Sequence, residues 1–157
     1  MAQFDPPDRS FMFRASDAVL VLPGSILEVP IAVAGINQPL TGASLAVHIR
    51  HRRMDTLSLA LMSPDHRVVL LSAFHGGTEQ SLGESSARPL VFTDAAPTSI
   101  ARAIPPLVGA YRPVGVLADF HGLPPSIANG HWQLLLMDLD RSGAFPVVDF
   151  AVLTLHV

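Results

Sequence analysis

The chain has 157 residues, enough for one domain of ordinary size and too few for two full cores. Hydrophobic residues make up 49% of it and charged residues 15%, where a typical soluble domain carries about 25% charged residues, so a disordered chain is excluded. A net charge of -3 offers no general attraction to phosphate, so no nucleic-acid role is expected; the lack of Lys excludes a P-loop and a Schiff-base amine, and the lack of Cys excludes disulfides, thiolate metal sites and thiol catalysis.

In chain order, residues 1–17 carry Pro6, Pro7 and the aromatics Phe4, Phe11 and Phe13 with little periodicity, and read as an N-terminal arm. The aromatics are expected to lie on the domain itself or on a partner. The apolar stretch from Ala18 to Gly35 resembles a signal peptide only superficially. Acidic residues precede it, and Pro23, Glu28 and Pro30 interrupt it, so neither a leader nor a membrane-spanning helix is expected and the compartment stays open.

From there on, Pro and Gly punctuate short segments rich in Val, Leu and Ile, the pattern of an all-β domain. Strands are predicted at Ala18–Leu22, Ile26–Val33, Leu45–His51, Leu57–Met62, Val68–Ala73, Leu90–Thr93, His131–Asp138 and Val148–His156. In the third of these, Leu45, Val47 and Ile49 share one face while His48 and Arg50 share the other. Both faces of the last are largely apolar, as in a central strand of a sandwich. A short helical turn is expected within Pro97–Ile104, ended by Pro105 and Pro106.

Chemistry is sparse. No G-x-S-x-G elbow is present, and no convergent polar constellation suggests an enzyme. His48 and His51 stand three apart on a predicted strand, hence on opposite faces, and cannot share one metal ion. Asp138 and Asp140 ahead of Gly143 resemble the start of a calcium loop, with Arg141 and Ser142 where a further oxygen ligand would stand. The alternative is a hairpin turn in which the carboxylates bond turn amides and Gly143 takes a positive φ. Finally, His48, Arg50, His51, Arg52, Arg53, His66 and Arg67 lie on adjacent segments and form either a basic patch suited to carboxylate partners or a charged strand edge.

Ordered blocks from about Ala18 to the end carry a resemblance. His51-Arg52-Arg53, followed by Leu57, Leu61 and Ser63-Pro64, is similar to an H-x-R-x-x-x-L-x-x-x-L-x-S-P signature. Phe92-Thr93-Asp94-Ala95-Ala96, Tyr111-Arg112-Pro113, Asp119-Phe120-His121-Gly122, Asn129-Gly130-His131-Trp132, Met137-Asp138 and Gly143 follow in order. The set resembles the P domain, or P/Homo B domain, which follows the catalytic domain of proprotein convertases and bacterial subtilisin-like proteases. Asp55-Thr56, His66-Arg67 and Phe150 depart from the family pattern, at turns and in the last strand.

The resemblance implies a single jelly-roll β-sandwich over residues 18–157, without catalysis of its own, that stabilises a mostly secreted protease. The expected function is therefore a non-enzymatic interaction module, a structural or accessory subunit of a larger assembly. Its contacts are expected to include Arg50, Arg52, Arg53, Phe11 and Phe13, with a mean hydropathy of +0.40 favouring a protein partner or self-assembly. An accessory to a separately encoded subtilisin-like protease is the alternative, and a carbohydrate-binding jelly roll a further one. No membrane insertion is expected, and calcium is the one candidate cofactor.

Overall fold

The computed structural model describes residues 9–15, 19–21, 26–51, 53–75, 79–104, 106–138 and 146–157. Among them two sheets face each other. One runs β1 (Ser10–Arg14), β11 (Val147–His156), β4 (Gly42–Arg50), β8 (Leu90–Phe92) and β9 (Gly109–Tyr111), with the short β7 (Ser81–Leu82) also on β4. The other runs β2 (Val19–Val21), β3 (Ile26–Val33), β10 (Gly130–Asp138), β5 (Leu57–Met62) and β6 (Val68–Ala73). All pairings are antiparallel except that of β8 with β9.

Period-two alternation builds the two layers. Leu45, Val47 and Ile49 of β4, Leu57, Leu59 and Leu61 of β5, Val29, Ile31 and Val33 of β3, and Trp132, Leu134 and Leu136 of β10 are all buried. Each fully buried Leu or Ile contributes about 1.5–3 kcal/mol relative to exposure, which makes this inter-sheet layer the main source of stability. As its sequence pattern predicts, β11 is a central strand, between β1 and β4.

Pro30 sits inside β3, although proline cannot donate to a ladder. Among the described residues β2 pairs only with Ile26–Glu28, so no described ladder bond is asked of Pro30 on that flank, and on the other side it faces Gln133.

Three strands have no counterpart among the predicted elements. β7 and β9 are two and three residues long, and β9 carries Gly109 within a Pro-rich stretch, so neither has a periodic signal. β1 lies within the predicted arm: Phe11 and Phe13 pack on the core while Met12 is 72% exposed, an alternation hidden because the outward residue is also apolar. His51 falls one residue past the end of β4. The helical turn expected near Pro97–Ile104 is a 3-10 turn at Ile100–Arg102, capped by the Ser99 hydroxyl, which accepts from the Ala101 amide at 3.2 Å.

Trp132, fully buried, fixes one end of the sandwich. Its indole Nε1 donates to the Ala128 carbonyl at the end of the short helix α1 (Pro125–Ala128), at 2.9 Å. Its ring meets Phe120 edge-on at 4.9 Å. Gly130, with φ +151, brings the strand in beside Pro64, where a Cβ would come within 3.3 Å of that ring.

Candidate functional site

At the opposite end of β10, Asp138 meets His51. The imidazole Nε2 lies 3.1 Å from Asp138 Oδ1, with the two side chains 0% and 9% exposed. A carboxylate only accepts, so Nε2 carries the proton; Nδ1 is buried without a hydrogen-bond partner among the described residues. Since His51 leaves the β4 sheet and Asp138 ends a strand of the other, the pair ties the two sheets together. The loop before β7 adds to the tie, its Gln80 carbonyl accepting from the His51 amide at 2.9 Å. With both side chains shielded, the pair acts as a clamp between the sheets.

Outside the clamp lies an open cleft of about 640 Å³ lined by His48, Arg50, His51, Gln80, Ser81, Glu84 and Val147. Asp149 projects where the β11 register shifts between Val148 and Phe150. Its carboxylate takes the Arg50 fork, at 3.0 Å from Nη2, and lies 3.6 Å from His48 Nδ1. Arg50 hydrogen bonding holds the Asp149 carboxyl below its usual range and raises the guanidinium in return. Likewise Arg53 grips Asp55 at 2.9 and 2.6 Å and lowers that carboxyl.

Of the basic residues considered as one patch from the sequence, His48, Arg50 and His51 line this cleft, while His66 and Arg67 lie apart from them. Arg50 and Arg53 sit at the start of β5, but His66 and Arg67 follow its far end, and six strand residues span about 20 Å. There Arg67 pairs with Asp65 at 3.1 Å and donates to the Asp119 carbonyl at 3.2 Å. The buried Ser63 hydroxyl donates to the Asp65 carboxylate and is the main reason that carboxyl is lowered. Arg52, Asp140 and Gly143 lie outside the described residues. Among the described residues no three His, Asp or Glu side chains converge on a metal position.

The other residues carrying the P-domain resemblance build the fold. Both oxygens of Asp94 accept amides at the start of the 3-10 turn Leu117–Phe120, from Leu117 at 2.9 Å and Ala118 at 2.8 Å. Pro113 is buried, and Gly122 turns the chain with φ +82, a left-handed conformation that suits glycine. Trp132 has no exposure, so it offers no face to a sugar ring, and Tyr111 is half-buried against the core.

A second cleft, of about 430 Å³, has no counterpart among the predicted sites. Asp94, Ser99, Arg112, Pro113, Val114, Gly115 and Val116 line it. The segment passes along β6: the Val114 amide donates to the Leu71 carbonyl at 3.0 Å and the Gly115 amide to the Leu70 carbonyl at 2.7 Å. Its sequence signal was the run Pro113–Val116, apolar yet outside any predicted strand.

No protein-family model matches the chain, and no curated protein matches it. Solved structures do. A serine protease of Aeromonas sobria is similar at a TM-score of 0.55 and 15% identity, over 99% of this chain and 28% of the protease chain. A structure of the same protease (ASP) in complex with a chaperone (ORF2) is similar at 0.51 and 16%, again over 99% and 28%. The chain thus spans little more than a quarter of the proteins it matches, and at such identity the likeness is one of fold.

Proposed function

We propose that the chain is a non-catalytic P-domain module that docks onto a serine protease of the subtilisin type and stabilises its catalytic domain. The observation that carries this reading is that the whole chain corresponds in fold to 28% of a protease, the share a module would occupy. The blocks resembling the P domain support it, because their described residues serve packing, capping and clamping. A second reading, a structural subunit that assembles with itself, draws on the edge strand β1 and its exposed Met12.

Subtilisin-type catalytic domains from the same genome, each expressed alone, provide the test. Mixing them with the full chain should raise the Tm of one of them by several degrees, saturably, while the chain by itself runs as a monomer in light scattering. A concentration-dependent ring or filament of the chain alone, with no change in any catalytic domain, would replace the leading reading with the second.

A further inference from the structure

We infer that the β6 edge of the sandwich is the docking surface, and that it receives an extended acidic segment of the partner with apolar residues on either side of a carboxylate. This rests on the docking reading above and locates it. Phe74 follows β6, Val68 begins it, and Val114 and Val116 lie on the segment hydrogen-bonded to its middle. They are 39%, 54%, 47% and 50% exposed, four of the eight exposed large hydrophobic residues among those described. From the Leu71 position bonded to Val114, three residues lead to Phe74 and three to Val68, so the strip runs roughly 20 Å along one edge. That length fits about six residues of extended chain.

Charge identifies the occupant. Arg50, Arg53, Arg67 and Arg88 each hold an acidic side chain of the domain itself. Arg9, Arg14, Arg102 and Arg112 have no such partner among the described residues, and of these four Arg112, exposed, lines the cleft beside Val114 and Val116. The carboxylate nearest in the lining, Asp94, is engaged by the Leu117 and Ala118 amides. An unpaired guanidinium beside apolar residues matches a carboxylate flanked by apolar side chains, and Arg with aromatic residues is the composition that dominates binding energy at interfaces.

Phe74 supplies an independent sign. It holds φ +59, a left-handed conformation in which a bulky side chain is strained, yet the ring is left partly in water. Strain of this kind gathers at ligand clamps, and here it presents an aromatic ring at the end of the strip.

The test titrates the isotope-labelled full chain with the peptide acetyl-Leu-Glu-Val-Asp-Leu-amide and with its double-Lys counterpart, followed by amide chemical shifts. The acidic peptide should perturb residues 68–74 and 112–116, and Arg112→Ala should weaken it by roughly tenfold or more, the loss expected for one charge-assisted contact. Phe74→Gly should weaken it while leaving Tm equal or higher, which separates docking from folding. Equal binding of the double-Lys peptide, perturbations elsewhere, or an unchanged affinity in Arg112→Ala would overturn the proposal. If a catalytic domain is stabilised equally by wild type and by both variants, the surface is wrong and the docking function stands. If the acidic peptide binds as described but no catalytic domain responds, the surface stands and the protease reading falls.

Discussion

The two ends of β10 hold the sandwich together by opposite means. At its start, Trp132 is buried against Phe120 and the Ala128 carbonyl, and Asn129 bridges to Ile36 through a pair of 2.9 Å hydrogen bonds. At its finish, His51 and Asp138 join the sheets, with the Arg50–Asp149 and Arg53–Asp55 pairs on the rim. Apolar burial depends little on pH, whereas ion pairs depend on their carboxylates remaining ionised. One strand thus ends in a nearly pH-independent joint at one side and, at the other, in a joint rimmed by the lowered carboxyls of Asp149 and Asp55.

The largest effect should come from Trp132→Ala. Removing a fully buried indole costs about 3–5 kcal/mol, read as a lowered midpoint in urea unfolding. Asp138→Ala should follow, at about 1.5–3 kcal/mol, because a buried hydrogen bond to a charged group is lost and His51 is left unpaired. If Asp138→Ala matched or exceeded Trp132→Ala, the ranking of the two joints would be reversed. Asp94→Ala should cost about 1 kcal/mol, by analogy with a lost helix cap, and act on the aromatic joint because Asp94 anchors the turn that carries Phe120.

The smallest effect is one of pH. Asp149 and Asp55 have carboxyls lowered by their arginine partners. A carboxyl lowered in the folded state stabilises fully above its unfolded value near pH 4, and that contribution drains away as pH falls through the lower folded value. Amide protection, corrected for the intrinsic exchange rate, should therefore fall around residues 50–57 and 147–149 before it falls around residues 128–134 as pH is lowered below about 4. Uniform loss of protection would remove the distinction between the joints.

The layers were legible because alternation is a local signal: Ile26–Val33, Leu57–Met62 and Val68–Ala73 appear with the bounds read from sequence. The clamp was not, although His51 and Asp138 both stood among the residues carrying the resemblance. Their meeting depends on two strand ends 87 residues apart arriving at the same end of the sandwich, which no spacing rule encodes. His66 and Arg67 part from Arg50 and Arg53 for the same reason in reverse, since neighbours in sequence are carried apart by the length of β5. Arg112 and Val114–Val116 escaped notice because irregular backbone has no period, even where its hydrogen bonds to β6 fix it firmly.

The pairing of β1 with β11 sets Ser10 opposite His156, and the Val157 amide donates to the Arg9 carbonyl at 3.0 Å. During synthesis, the strand that completes this sheet is made after all the other described strands, so the earlier strands must wait, collapsed but unclosed, for nearly the whole domain. Such long-range closure slows folding and leaves β1 and β4 without their shared neighbour until β11 arrives. A chaperone or a fused partner that shields those edges would act in that interval, and any polypeptide joined before β1 or after β11 departs from the same corner of the domain.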